Sequence, residues 1–543
     1  MLGLMQDRPM MISSILSFAA QYHGDVEIVS VTADNPRHRY GYADAHKRAC
    51  KLANALQRYG VKLGDRIATL AWNDYRHFEL YFGVSGIGAV LHTVNPRLFA
   101  DQLSYIFNHA EDRLLFIDPQ FIPLVEQLGT QWKSIERVVV LAPADKMPET
   151  SVDGLISYEE FISAESEGFD WPEFDERTAS SLCYTSGTTG NPKGVLFSHR
   201  STVLHTLTVA AASNMAIMPH DNFLPVVPMF HANAWGTPYI TPTAGSKMVF
   251  PGAHLDGARL YALLEEEKVT MSAGVPTVWL GLLNYVKEQG IGFNHLQRVL
   301  IGGAAAPGAM IDSFEKDYGV TVNHAWGMTE MSPVGTIGNI KRGHADKPQE
   351  EILALKRSQG HAFWGCDLKI VDDQGNRLPE DGETTGDLYV KGYFITSGYY
   401  NNPDATSEAF DKDGWFQTGD VASIDKDGYL RITDRSKDVI KSGGEWISSI
   451  DLENLAVGHP DVAEAAVIGR PHHKWDERPL LIILPHDQDN PPSKESILSF
   501  MEGKIAKWWM PDDVAYVSEI PHTATGKIQK TELRKTFADF KFS

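Results

Sequence analysis

The chain has 543 residues, 43% hydrophobic and 22% charged, a composition that excludes wholesale disorder. With 49 basic against 70 acidic residues the net charge is −21, which argues against nucleic acid or an anionic membrane as the main partner but leaves room for a local phosphate pocket. The 3 cysteines (Cys50, Cys183, Cys366) lie far apart, which disfavours a disulfide scaffold or a zinc finger and points to a reducing, cytoplasmic setting.

In chain order, residues 10–20 (MMISSILSFAA) could imitate a signal-peptide core. Asp7 and Arg8 stand where a cationic stretch belongs, and Ser13, Ser14 and Ser17 interrupt the run. Ile12, Ile15, Leu16 and Ala19 share one helical face, which predicts an amphipathic first helix. No apolar run reaches the roughly 18 residues of a membrane span, so no stable membrane insertion is expected. Residues 114–119, 138–141, 247–250 and 299–303 read as buried strands. Between the last two, Leu260, Leu263 and Leu264 predict a helix whose Glu265, Glu266 and Glu267 face water. Strand, helix, strand in this rhythm predicts an α/β fold of parallel sheets covered by helices.

The insert at 341–358 carries alternating charge and reads as a solvated helix without chemistry. After about residue 385 the texture changes. Residues 386–392 alternate like an antiparallel strand, and Asn402-Pro403, Asp413-Gly414, Asp427-Gly428 and Gly443-Gly444 read as turns. Beyond residue 440, strands at 465–468 and 480–484 and a helix marked by Ile497, Leu498, Met501 and Ile505 predict a small α+β domain. The expected division is a large domain over 1–434, a hinge at 435–438 and a small domain over 439–543.

The densest chemistry lies at 184–194 (YTSGTTGNPKG). Glycines let backbone N–H groups approach an anion, Thr185, Ser186, Thr188 and Thr189 add donors, and Lys193 adds a point charge. This suits a polyphosphate. It is not a Walker A loop, because Pro192 and Gly194 stand where Gly and Ser or Thr are required. No H-E-x-x-H pattern and no G-x-S-x-G elbow occurs, and His472-His473 reads as a surface pair whose rings point apart.

Residues 184–194 resemble the phosphate loop of the ANL superfamily of adenylate-forming enzymes, which includes acyl-CoA synthetases, adenylation domains and firefly-type luciferases. Blocks at 326–330, 414–420, 434–444 and 521–527 resemble further family motifs in the family's order, and the likeness spans roughly residues 40–537. It implies a large domain with a small β-barrel-like subdomain, then a mobile C-terminal domain. It also implies ATP, Mg²⁺ and coenzyme A as cofactors, a small carboxylic acid as substrate, and allows a homodimer.

By the same resemblance, Thr185, Ser186, Gly187, Thr188, Thr189, Gly190 and Lys193 would hold the leaving phosphates. Glu330 would ligate Mg²⁺ and Thr329 would bond the α-phosphate. Asp420 and Arg435 would meet the ribose, while Trp326 with Gly303, Ala304 and Ala305 would enclose the adenine, beside Gly327 and Met328. Gly443 and Gly444 join the nucleotide set, Lys437 is the pivot, and Lys527 faces the carboxylate and α-phosphate. His231, Trp235 and Gly327 border the acyl pocket; a glycine where acetate-selective members carry Trp leaves room for several methylenes.

Two departures stand out. Ser449 occupies a place where many members have proline, and Trp446 a place where smaller or polar residues are common, a departure that suggests contact with the pantetheine arm or pocket. The opening residues and the 230–236 stretch (FHANAWG) resemble a subgroup of bacterial medium-chain fatty acyl-CoA and 3-methylmercaptopropionate–CoA ligases. The competing readings are a luciferase-like oxygenase, a stand-alone enzyme loading a carrier protein, and a non-catalytic nucleotide sensor. The terminal Lys541-Phe542-Ser543 lacks the peroxisomal tripeptide common in luciferases, no carrier domain follows Lys527, and the intact set Lys193, Glu330, Asp420 and Lys527 opposes a sensor.

Overall fold

Two large sheets carry the body of the protein. The structure, a computed structural model, describes residues 1, 3–185, 191–442, 445–523 and 527–542. The expectations for Ser186, Gly187, Thr188, Thr189, Gly190, Gly443 and Gly444 lie outside the described residues.

Among the described residues, one sheet orders Ile156–Ser157, Arg137–Val140, Leu114–Ile117, Arg66–Leu70, Val90–Thr93, Ala179–Tyr184 and Gly194–Ser198. All neighbours are parallel except the last pair, which is a hairpin. The second sheet is parallel in its middle, through Thr321–Gly327, Arg298–Ile301, Met271–Gly274, Asn222–Pro225, Lys247–Phe250 and Glu27–Ser30. Antiparallel strands close both of its edges. Val90–Thr93, Leu114–Ile117 and Met271–Gly274 are buried throughout, as strands covered on both faces must be.

The helix Tyr75–Gly86 touches strands of both sheets, and all 12 of its residues are buried. Its charges are paired: Arg76 meets Asp34 at 3.0 Å and Glu159 at 2.9 Å, and Glu79 meets Arg48 at 2.7 Å. A Cβ at Gly83 would stand 2.5 Å from Leu52 Cδ2, so glycine lets the helix Tyr42–Arg58 pack against this one. The predicted first helix is Ser13–Tyr22, burying Ile15, Leu16 and Ala19, with Ile12 buried just before it.

The helix predicted around Leu260 is Gly257–Glu266, but Glu267 does not face water. It is buried and ion-paired to Arg39 and, at 2.8 Å, to Lys247. Sequence periodicity marks which face is apolar, not where two distant cations meet a carboxylate. Asn402-Pro403 is not a turn either: Asn402 caps the helix Pro403–Glu408, with proline at its first position. The insert forms the helix Gln349–Arg357, yet it is not fully solvated, because Leu353 and Lys356 are buried.

Where a barrel-like unit was expected, the described residues form an open antiparallel sheet of Cys366–Val371, Gly386–Gly392, Phe416–Ile424 and Leu430–Arg435, whose two outer strands do not pair with each other. After Arg435 the chain enters another sheet, built on Ile440–Ser442, Glu445–Ile447, Val462–His472, Asp476–Pro485 and Asp513–Tyr516. The helices Ser449–Ala456, Lys494–Met501 and Lys530–Thr536 accompany it. His472 and His473 differ from expectation, with ring centroids 4.4 Å apart and planes at 31°. They end a strand, where the alternation that would separate neighbours is lost. All three cysteines are buried free thiols. Among the described residues no helix is long and apolar enough to cross a membrane.

Candidate active site

The strand Ala179–Tyr184 pairs antiparallel with Gly194–Ser198, Tyr184 opposite Gly194, so the two ends of the donor-rich segment are held side by side. Its neck is closed by the Thr185 N–H donating to the Lys193 carbonyl at 2.9 Å and the Lys193 N–H donating to Thr185 Oγ1 at 3.4 Å. A hairpin differs from the strand–loop–helix of a Walker A site, in keeping with the residues at 192 and 194.

Below it lies a cleft of about 1020 Å³, lined by both halves of the molecule. Thr185, His231, Trp235, Gly303, Ala304, Ala305, Trp326, Gly327, Met328, Thr329, Glu330, Asp420, Arg435, Lys437 and Lys527 all line it. Nearly every described residue singled out in the sequence therefore meets at one place.

The ribose pair is built by sheet register. Asp420 on Phe416–Ile424 lies opposite Arg435 on Leu430–Arg435, and Arg435 Nε meets Asp420 Oδ1 at 2.9 Å. The Trp326 indole N–H donates to Asp420 Oδ2 at 2.9 Å. Each carboxylate oxygen thus holds one donor and retains acceptor capacity, which is what a cis-diol requires. Beyond the aromatic wall expected of it, the tryptophan fixes the carboxylate through its indole nitrogen.

Glu330 sits in the short helix Thr329–Met331, buried with Thr329. Burial pushes its carboxyl above the ordinary range, against the phenol of Tyr399 and the charges of Arg435 and Lys193. Tyr399 donates to Oε1 at 2.8 Å, and among the described residues Oε2 takes no side-chain donor. No group of three or more His, Cys, Asp or Glu side chains that could cage a metal occurs among the described residues. One hard carboxylate oxygen beside a phosphate loop suits Mg²⁺, which keeps waters and takes its other ligands from phosphates.

Lys527 comes from the far side. Its N–H donates to Thr523 Oγ1 at 3.0 Å, and its carbonyl accepts from the Thr523 N–H at 2.6 Å. Burial and the nearby charge of Arg435 lower its ammonium to about 8, partly offset by Asp420 and Glu330. His231 is lowered to about 4 by burial and by Lys527, so it is neutral at pH 7.

The acyl side is framed by an unusual turn. Ala232, Asn233, Ala234 and Trp235 have φ of 43°, 54°, 47° and 58°, followed by Gly236 at 80°. For non-glycine residues this left-handed conformation costs about 1–2 kcal/mol each. Asn233 Nδ2 donates to Ser181 Oγ at 2.9 Å and the Thr237 hydroxyl to the Ala234 carbonyl at 2.8 Å, which holds the turn. A Cβ on Gly302 would stand 3.2 Å from the Trp235 ring, so the indole lies flush on that backbone.

Gly327 corrects the expectation that its missing side chain makes room for substrate. A Cβ there would lie 2.0 Å from the Pro333 carbonyl oxygen and 2.9 Å from Val334 Cα. Glycine is required because two backbone segments touch, and the Trp that acetate-selective members carry does not fit. Trp446 lies on the strand Glu445–Ile447 that pairs with Ile440–Ser442, its ring centroid 5.9 Å from the Lys441 ammonium, and does not line the cleft.

Sequence reading missed Tyr399 and gave Ser449 no role. The Ser449 N–H donates to Asp434 Oδ2 at 2.7 Å and its hydroxyl bonds the same oxygen. Lys530 in turn donates to Ser449 Oγ and pairs with Glu453 at 2.8 Å. The signal was present in the departure from proline, since proline has no N–H to donate.

The chain matches the model described as AMP-binding enzyme over residues 17–400 and that of the AMP-binding enzyme C-terminal domain over 451–527. It is 51% identical to a 3-methylmercaptopropionyl-CoA ligase of Ruegeria pomeroyi, covering 99% of both chains. It is 46% identical to a medium-chain-fatty-acid–CoA ligase of Ectopseudomonas oleovorans over 99% of this chain and 98% of that one. The solved structure of the anthranilate CoA ligase AuaEII with anthranoyl-AMP matches with a TM-score of 0.86 and 25% identity over 99% of this chain and 100% of that one. The phosphate hairpin, the Asp420–Arg435 pair and these matches agree: the chain belongs to the AMP-binding enzyme family.

Proposed function

We propose that the protein is an AMP-forming acid–thiol ligase. It activates a short- to medium-chain carboxylic acid, 3-methylmercaptopropionate or a similar fatty acid, with ATP and passes the acyl group to coenzyme A. The observation that carries this reading is the desolvated ammonium of Lys527 in one cleft with Asp420, Arg435 and Glu330, beside the acyl wall of His231 and Trp235. The relatives at 51% and 46% identity, a 3-methylmercaptopropionyl-CoA ligase and a medium-chain-fatty-acid–CoA ligase, support the substrate class.

In this reading the acid's carboxylate attacks the α-phosphorus of ATP and pyrophosphate leaves. Asp420 and Arg435 fix the ribose, Trp326 and the backbone of 303–305 hold the adenine, and Thr185, the 186–190 loop and Lys193 hold the departing phosphates. Thr329 bonds the α-phosphate. Glu330 would hold Mg²⁺, which when bound neutralises charge on the phosphates. Lys527 opposes the negative charge that builds between carboxylate and α-phosphate, where a preorganised cation acts most strongly. Neutral His231 borders the acyl group without adding a second positive charge beside Lys527. The thiol of coenzyme A then attacks the acyl carbonyl and AMP leaves. Residues 439–543 form the moving unit and 435–438, with Lys437 as pivot, the hinge between the two steps.

The test incubates the purified protein with ATP, Mg²⁺, coenzyme A and acids from acetate to dodecanoate, 3-methylmercaptopropionate included, and reads AMP and acyl-CoA by mass spectrometry. Each buried methylene contributes roughly 0.8 kcal/mol, so two give about a tenfold preference. Acids of about four to eight chain atoms should therefore exceed acetate at least tenfold in kcat/KM. Adenylate formed without acyl-CoA, for every acid, would overturn the ligase reading.

A further inference from the structure

A short segment at 396–400 bridges Glu330, which lines the cleft, and the strand that follows Lys193. The Thr396 N–H donates to the Glu330 carbonyl at 2.8 Å, and the Tyr400 N–H to the Gly194 carbonyl at 2.8 Å. Between them stands Tyr399. Its phenol donates to Glu330 Oε1 at 2.8 Å, and the Lys193 ammonium lies 4.9 Å from its ring centroid. Its own N–H is held by Thr406 Oγ1 at 2.9 Å, and its ring packs on Cys183, Val195 and Phe197. One side chain, fixed at backbone and ring, thus contacts an anion with its edge and a cation with its face.

These two charges belong to different sheets. Lys193 ends the loop of the seven-stranded sheet, whereas Glu330 follows Thr321–Gly327 of the nine-stranded one. Nothing in either sheet's register sets the distance between them. A tyrosine that merely filled the core would need no acceptor for its hydroxyl, and phenylalanine would serve. Here the hydroxyl selects one carboxylate oxygen, fixes its rotamer and leaves Oε2 without a side-chain donor among the described residues. The ring holds the lysine by its quadrupole, at the neck of the phosphate hairpin.

We propose that Tyr399 is a positioning residue that sets the Glu330 carboxylate and the Lys193 ammonium in mutual register for a divalent cation and the triphosphate it accompanies. It touches neither substrate nor metal; it acts through the two groups that do. This inference rests on the reading of Glu330 as the Mg²⁺ ligand.

The experiment uses the full chain, wild type beside Tyr399→Phe, Tyr399→Leu and Glu330→Gln. Mn²⁺ is titrated by electron paramagnetic resonance in the presence of a non-hydrolysable ATP analogue, and analogue binding is measured separately in EDTA. Tyr399→Phe removes one hydroxyl and keeps the ring, so its melting temperature and its metal-free affinity should match wild type. Its Mn²⁺ affinity should fall about tenfold, the loss expected for one hydrogen bond to a charged group. Tyr399→Leu removes the ring as well, and its metal-free affinity for the analogue should fall about threefold or more. Wild-type Mn²⁺ affinity in Tyr399→Phe, with Glu330→Gln impaired, overturns the role of Tyr399 and leaves the Glu330 reading standing. Wild-type Mn²⁺ affinity in Glu330→Gln overturns that reading, and this proposal with it. A parallel fall of melting temperature and both affinities in Tyr399→Phe means a structural role and also overturns it.

Discussion

The two walls of the cleft are built on different principles. On one side, Asp420, Arg435 and Trp326 are locked by strand pairing and by two hydrogen bonds to a single carboxylate. On the other, Lys527 sits on a loop steadied by Thr523, and the helix beside it reaches the opposite wall through Lys530, Ser449 and Asp434. The first wall is over-determined and suits reading a nucleotide that stays in place. The second is attached by polar contacts that can be exchanged for water, Ser449 to Asp434, Ser448 to Thr433 and Arg431 to Asp451, together with Ile450 packed on the large core. A part that serves only one of two steps can be delivered this way and withdrawn.

The largest effect should follow from removing the delivered charge. Lys527→Ala is expected to slow adenylation, read as pyrophosphate exchange, by about 10²–10³. Given preformed acyl-adenylate and coenzyme A, the same protein should make acyl-CoA near the wild-type rate. Burial and the charge of Arg435 lower the Lys527 ammonium to about 8. The active, protonated form prevails below that value, so kcat/KM for exchange should fall as pH rises through about 8. That limb should vanish in Lys527→Ala. Equal losses in both half-reactions would mean that Lys527 supports the wall rather than the chemistry.

Next comes the connection between the walls. Proline fixes φ near −65° and removes an N–H. Lys437→Pro should leave pyrophosphate exchange within about tenfold and reduce acyl-CoA formation by about a hundredfold, if rotation at 435–438 separates the steps. A uniform loss, with a lower melting temperature, would place Lys437 among ordinary structural residues.

How much of this could be read without the structure follows the same division. Residues 114–117 and 248–250 are legible because parallel strands buried on both faces must be continuous apolar runs. Lys193, Glu330, Asp420 and Lys527 are legible because phosphate and ribose chemistry leaves a dense local signature. The Tyr399–Glu330 bond spans 69 positions and the Trp326–Asp420 bond 94, and nothing local says which residue is the other's partner. The left-handed turn at 232–235 contains no glycine to announce it. Gly327 carried a signal that was misassigned, because a glycine reads alike whether it yields space to a ligand or to another strand.

The rigid wall supplies the next test. At Gly327 a Cβ meets backbone, the Pro333 carbonyl oxygen at 2.0 Å, rather than a side chain able to turn away. That oxygen also accepts the Met328 N–H at 2.9 Å, so displacing it disturbs the start of the Thr329–Glu330 turn. Gly327→Ala should cost about 1–3 kcal/mol in denaturant unfolding and slow all acids together. A shift of preference toward acetate at unchanged stability would restore the view that this position faces the acyl chain.

The smallest effect is expected where this chain departs from its family. Ser449→Pro introduces the residue found in many members. Position 449 begins the helix Ser449–Ala456, where the fixed φ of proline is compatible with the fold and the N–H has no partner within the helix. Stability should therefore change little. What disappears across the junction is the pair of N–H and hydroxyl bonds to Asp434, and inside the moving unit the acceptor for Lys530 goes with them. Asp434 is buried, and losing such donors destabilises the closed state by about 1 kcal/mol after exchange with water. Since that state is the one in which Lys527 reaches the cleft, pyrophosphate exchange should slow about three- to tenfold. Acyl transfer from preformed adenylate should be unchanged or faster, because the competing arrangement is less favoured. Ser449→Ala keeps the backbone donor and should fall between wild type and Ser449→Pro in exchange rate. If all three proteins exchange pyrophosphate equally fast, the Asp434–Ser449–Lys530 contacts do not hold the second wall, and its placement depends on the substrates alone.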